Sequence, residues 1–154
     1  MVRLSKKMDY SLLLVSEMVR QEPEVVSAAM LADKFKLSLE MVAALLKNLC
    51  RKGILESVRG KNGGYKLASD PWELSLRSLI VAVDGPFYLT DCTQDSGGDC
   101  HYHALCTISG RMKGVSNRIN QILEETSLGY VLGLPKSEPV TPMILSSNER
   151  QISV

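Results

Sequence analysis

No apolar run in this 154-residue chain approaches the ~18–20 residues that cross a bilayer, so a membrane partner is not expected. A secretion signal is also missing. Arg3, Lys6 and Lys7 do precede Leu12-Leu13-Leu14-Val15, but Asp9 and Glu17 bracket that run and no small-residue cleavage site follows. The segment therefore reads as an amphipathic helix of a cytoplasmic protein. Nor is there a phosphate-binding glycine motif, or any nucleophile–base pair outside one segment bearing Cys and His, which argues against an enzyme. Net charge is nearly absent at +1, yet it is unevenly spread. Residues 1–70 hold 12 Lys/Arg against 8 Asp/Glu, whereas residues 71–154 hold 6 against 9. A basic front joined to an acidic rear suits a nucleic-acid-binding unit with an appended element.

Hydrophobic residues make up 45% of the chain and charged residues 23%, which fits a packed domain and not a disordered chain. Asp9 to Arg20 reads as a first helix, with Tyr10, Leu13, Leu14 and Met18 on one face and Gln21-Glu22-Pro23 ending it. Ser27 stands where an N-cap belongs, before a short helix that runs to about Phe35. Lys36-Leu37 make a tight connection, and Ser38 is a second cap. Leu39, Val42, Leu45, Leu46 and Leu49 then recur at helical spacing as far as Gly53, a C-terminal stop. Two helices joined by so short a turn form the helix-turn-helix pattern. Ile54 to Val58 alternates like a strand, Arg59 to Gly64 is a glycine-rich turn, and Tyr65-Lys66-Leu67 returns. The expected fold is mainly α with a small β-hairpin wing, a winged helix-turn-helix over residues 1–70.

Ser69-Asp70-Pro71 marks a boundary. A short helix is expected from Leu74 to Val83, closed by Asp84-Gly85-Pro86, and then an aperiodic stretch runs to His103. Residues 71–103 thus form a short helix and a cysteine-bearing loop. From Ala104, Leu105, Ile108, Met112, Val115, Ile119 and Ile122 are spaced 3, 4, 3, 4, 3, the a/d seam of a heptad repeat. So narrow a stripe wants one partner helix, either the chain's own winged helix or a second copy. Dimerisation through a long C-terminal helix over residues 104–132 is the expectation, because the N-terminal unit already has a core. Residues 133–154, with Pro135, Pro139 and Pro142, are expected to be a disordered tail.

A recognition helix reads base edges with its N-terminal residues, while wings and helix ends hold phosphates. Ser38, Glu40 and Met41 open the second helix of the motif, and Lys47 follows. Ser38 can either cap its own helix or touch DNA. Glu40 can accept from a cytosine amino group or be a solvated charge. Lys34 and Lys36 flank the turn, within reach of a phosphate backbone. In the wing, Arg59, Lys61 and Lys66 lie close together with no acid among them, and the glycines allow entry into a narrow minor groove.

Cys92, Cys100 and Cys106 are separated by seven and five residues, a spacing that matches neither zinc-finger pairs nor ferredoxin runs. Thiolates clustered in a reducing compartment suit soft metals. Their chemistry indicates a soft-metal site without naming the metal, and His101 and His103 leave a zinc site as a competitor. A thiol redox switch on the same cysteines is a further alternative, and so is a winged helix serving as a protein-interaction module. Cys50 lies at helical spacing from Leu46 and reads as a small buried hydrophobe.

Arg3-Leu4-Ser5-Lys6 with Asp9-Tyr10, the Arg59-Gly60-x-x-Gly63-Gly64-Tyr65 wing, Val83-Asp84-Gly85 and the three downstream cysteines together resemble the iron–sulfur-sensing winged-helix repressors typified by IscR, NsrR and RirA. The resemblance covers roughly residues 1–132, and the opening and wing look most like the branch that regulates the SUF cluster-assembly system. It implies a homodimer that binds an operator in double-stranded DNA, with one cluster per subunit, 2Fe–2S or 4Fe–4S, on Cys92, Cys100 and Cys106. A fourth ligand varies across that family. Ser109 stands where the IscR pattern has a His, and Asp9 falls on an N-terminal Asp that reaches across from the other subunit in the NsrR pattern. Asp9 is the expected fourth ligand, with His103 and His101 as runners-up; the bland alternative for Asp9 is an N-cap of the first helix. Met41 and Ala43 replace a Tyr and a Glu of IscR-like recognition helices, so operator sequence does not carry over.

Overall fold

The computed structural model describes residues 4–20, 25–60, 62–94, 100–102 and 105–136. Three helices come first: α1 (Lys6–Arg20), α2 (Ala28–Phe35) and α3 (Leu39–Arg51). Strands β1 (Leu55–Val58) and β2 (Gly64–Leu67) follow, then α4 (Leu76–Asp84), a 3-10 turn at Asp91–Thr93, α5 (Ser109–Glu125) and α6 (Leu128–Val131). The architecture is mainly helical with one antiparallel hairpin, as the sequence suggests.

Helix starts follow local chemistry. Ser27 Oγ accepts from Met30 N and Ser38 Oγ from Met41 N, each at 3.2 Å, so both serines cap as expected. Between them Lys36 adopts the left-handed conformation, φ 54°, that ends α2 and turns the chain into α3. The first helix begins at Lys6, three residues before the expected Asp9. Ser5 explains this: its Oγ accepts from Met8 N at 3.2 Å and donates to Asp84 Oδ1 at 2.5 Å. Asp9 is therefore not the cap. It is an exposed carboxylate in the opening turn, where the helix dipole favours negative charge.

The buried face of α1 is Met8, Ser11, Leu14, Val15 and Met18, and Leu13, expected inside, turns outward. Leu31, Val42, Leu45, Leu46 and Leu49 meet that face from α2 and α3. Leu39 does not join them, because it precedes the packed part of α3 and stays 53% exposed. Glu17, only 8% exposed, is neutralised by Lys34 of α2, which keeps a carboxylate tolerable beside the core.

The hairpin pairs Leu55 with Leu67, Glu56 with Lys66, Ser57 with Tyr65 and Val58 with Gly64. A third stretch joins it, as Val26 and Tyr65 exchange two backbone hydrogen bonds of 2.9 Å. Gly64 makes this approach possible: a Cβ there would lie 2.5 Å from Val26 O.

The core continues past the hairpin. Leu79, Ile80 and Ala82 of α4 and Leu128 of α6 belong to the same hydrophobic cluster as α1 and α3. Backbone hydrogen bonds stitch the two segments that flank α4 and α6. Leu76 N donates to Thr126 O and Leu128 N to Leu74 O, both at 2.7 Å, and Gly129 N donates to Pro71 O at 2.8 Å. Gly129 lies flat on the Trp72 ring, where a Cβ would come within 2.5 Å of Cδ2.

Helix α5 starts at Ser109, later than the expected Ala104. No side chain caps it at Ile108, and Gly110 and Gly114 weaken its opening turns. Leu105 and Ile108 therefore precede the helix, and Met112, Val115, Ile119 and Ile122 carry the seam within it. One edge of α5 leans on α4, where Arg77 Nε donates to Asn120 Oδ1 at 3.3 Å and Ser116 is buried. The seam itself stays open, with Val115 46% and Ile122 61% exposed. Gly64→Ala should destabilise the fold by about 2–3 kcal/mol, the cost of forcing atoms into a filled space, read as a lowered midpoint in urea unfolding followed by circular dichroism.

Candidate functional site

The outward face of α3 presents Leu39, Glu40, Ala44, Lys47 and Arg51, all exposed. Its inner face, Val42, Leu45, Leu46 and Leu49, fixes the helix against the core. Met41 is partly buried and packs on that core, so its side chain is partly withdrawn from the face. Ser38 is exposed but already accepts from Met41 N. A further anchor holds α3 from behind: Asn48 Nδ2 donates 2.7 Å to Ala82 O, one of the last carbonyls of α4, which has no partner within its own helix.

The cations expected at the turn have protein partners. Lys34 pairs with buried Glu17, and Lys36 Nζ lies 2.9 Å from Asp33 Oδ1. On the wing, Lys66 Nζ lies 2.7 Å from Glu56 Oε1, its cross-strand neighbour in the hairpin register. Arg59 is exposed at the start of the wing turn and makes no ion pair among the described residues. Gly60 takes φ 125°, and a Cβ on Gly63 would lie 2.5 Å from Val58 O, so the turn needs both glycines. Lys61 lies outside the described residues.

The cysteine segment connects α4 to α5. Cys92 sits in the 3-10 turn, with Thr90 Oγ1 3.3 Å from its Sγ. Buried Thr93 anchors that turn: its Oγ1 donates to Thr90 O at 2.7 Å and accepts from Thr90 N at 3.2 Å. Upstream, Asn120 Nδ2 donates to Phe87 O at 3.2 Å, pinning the segment to α5. Cys100 and Cys106 are half-buried and free of disulfides, as is Cys92. His101 is exposed and meets Tyr102 edge to face, 5.5 Å between centroids. His103 lies outside the described residues.

Among the described residues no group of three or more His, Cys, Asp or Glu is placed to hold a metal ion. The three thiols are thus not gathered, and Asp9 stands exposed on α1. The donor set is nevertheless suited to a soft centre: three unpaired thiols, all partly accessible, in one connecting segment. Cys50 differs. Burial, with the Glu56 carboxylate adding to it, pushes its thiol up from the ordinary cysteine range.

A family model described as Rrf2, iron-dependent transcriptional regulator, matches residues 4–133. The chain belongs to the Rrf2 family. This Rrf2 protein is 28% identical to the HTH-type transcriptional regulator IscR of Vibrio cholerae serotype O1 over 132 residues, covering 85% of this chain and 75% of that one. It is 24% identical over 125 residues to the regulator NsrR of Shouchella clausii, covering 80% and 84%. In fold it is similar to the structure of CymR, the global cysteine regulator of B. subtilis. There the TM-score is 0.66 and the identity 22%, with 88% of this chain and all of that one covered. The protein is accordingly a DNA-binding transcriptional regulator of winged-helix fold, not an enzyme. No helix among the described residues is long and apolar enough to cross a membrane.

Sequence reasoning missed Leu39, Asn48 and Asn120. Leu39 opens α3 as an apolar residue off the Val42, Leu45, Leu46 and Leu49 face, so its exposure was legible in principle; the two asparagines act across contacts that no local pattern encodes. One titration follows from the environment of Cys50. Its rate of alkylation by iodoacetamide, followed by peptide mass spectrometry, should keep rising with pH beyond the range where an unperturbed cysteine levels off, because its thiolate forms later.

Proposed function

We propose that this Rrf2 regulator is a cytoplasmic homodimeric repressor whose grip on its operator is set by an iron–sulfur cluster, with cluster-assembly genes among its targets. The observation that carries the reading is the placement of three free cysteines on the connector between α4 and α5. Helix α4 is hydrogen-bonded to α3 through Asn48, and α5 carries an open heptad seam. A change in that connector therefore acts on both the recognition helix and the dimer face.

In this reading Cys92, Cys100 and Cys106 provide three thiolates and the partner subunit's Asp9 the fourth ligand, with His101 and His103 as the other candidates. When bound, a 2Fe–2S or 4Fe–4S cluster, one per subunit, supplies a tie that responds to iron supply, oxidants or nitric oxide. The chain's own part is mechanical. Met112, Val115, Ile119 and Ile122 pair with their copies, Arg59 and Lys61 hold phosphates at the wing, and Glu40 and Lys47 face the groove. Two recognition helices must sit about one DNA turn, roughly 34 Å, apart to engage both half-sites. Only a difference in DNA affinity between the two connector states makes a switch.

Anaerobic purification tests the cofactor. A brown protein with iron and sulfide, whose colour is lost in the Cys92/Cys100/Cys106→Ala triple variant, is the expected result; a colourless protein with stoichiometric zinc overturns the reading. Asp9→Ala should alter the visible spectrum or hasten cluster loss, and an unchanged spectrum removes Asp9 from the ligand set. The phosphate contacts have their own signature in fluorescence anisotropy across a salt series. Arg59→Ala should lower the slope of log K against log salt by about two for a dimer. Lys66→Ala, whose charge already meets Glu56, should change it less.

A further inference from the structure

We propose that α3 recognises thymine through its 5-methyl group, using an apolar strip formed by Leu39 and Ala43 next to Glu40. The inference rests on the DNA-binding reading above, with α3 in the major groove. It goes beyond that reading by assigning base preference to side chains that make no hydrogen bonds.

Leu39 and Ala43 lie one turn apart along the same edge of α3. Leu39 is 53% exposed although it is a large apolar side chain, and Ala43 is half-covered. The opposite edge is closed, because Met41 packs on the core and Asn48 donates to Ala82 O. In the opening turn, where helix-turn-helix proteins touch base edges, Glu40 is exposed and can accept from a base. Ser38 Oγ already accepts from Met41 N as the cap, which leaves only its hydroxyl proton to donate. Lys47 and Arg51 stand two and three turns further along the outward face and supply positive charge for a polyanion.

Leucine and alanine can neither donate to nor accept from a base. The major-groove edges of the four bases carry one apolar group among them, the thymine methyl. A G·C pair beneath Leu39 would have its carbonyl, ring nitrogen or amino group stripped of water without a partner, which is unfavourable. A thymine there places carbon against carbon and removes apolar surface from water on both sides. The strip therefore both favours T and rejects G·C, and Glu40 beside it can accept from a neighbouring amino group.

The test uses the full chain and duplexes enriched by in vitro selection from a random library. Each thymine of the selected half-site is replaced in turn by uracil, which keeps every hydrogen-bonding group and lacks only the methyl. Binding should weaken about fourfold at one or two positions per half-site, the fold-change for withholding one methyl-sized group from burial, and stay unchanged elsewhere. In Leu39→Ala, thymine and uracil duplexes should bind within about twofold of each other at the position Leu39 reads. Leu39→Gln, similar in length but polar at its tip, should lose the same preference. A wild-type protein indifferent to uracil at every position overturns methyl reading while leaving sequence-specific DNA binding intact. A uracil penalty undiminished in both variants removes Leu39 from the recognition strip. If no duplex is enriched at all, the DNA-binding reading falls and takes the inference with it.

Discussion

Helix α3 is held from behind by α4, and most of the fold's internal order depends on that contact. Burial of Leu79, Ile80 and Ala82 against α1 and α3 supplies its apolar part, and the hydrogen bond from Asn48 to Ala82 O gives it a fixed register. An unmade hydrogen bond at a partly buried carbonyl costs about 1–3 kcal/mol, so α3 cannot slide along α4 without penalty. The exposed face of α3 and the helix that leads to the cysteines are thereby parts of one packed body.

That body has a second closure at its far side. The N-terminal cap of α1 is tied to the end of α4 by Ser5 and Asp84, and the strand-like pairing of residues 74–76 with 126–128 returns α6 to the core. The connector carrying Cys92, Cys100 and Cys106 leaves from the end of α4 and enters the start of α5. Its first part is anchored in this frame, at Asp84 and where Asn120 of α5 donates to Phe87 O.

How much of this was legible in the sequence depended on how local each cause is. The serine caps at Ser27 and Ser38, the glycine wing and the helix-turn-helix spacing all act within a few residues, and they were readable. The start of α1 was missed because its cap, Ser5, is reinforced by Asp84, far away in the chain. The heptad seam was visible as a period, but the helix carrying it begins later than the period does, since apolar spacing says nothing about glycine-weakened turns. The cysteine spacing pointed to a soft-metal donor set. It could not show how the three thiols lie relative to one another, because that depends on how the connector folds over α5. The cations at Lys34 and Lys66 looked like DNA ligands in one dimension and proved to have carboxylate partners in three.

The chain holds a single tryptophan, and it sits where α6 rejoins the fold, with Gly129 against its face and the Lys136 ammonium 5.9 Å from the ring centroid. Its emission is therefore an optical gauge built into the place where α6 rejoins the fold. Any event that lifts α6 would replace backbone and ammonium with water around one indole, and would change its colour and brightness without a label attached.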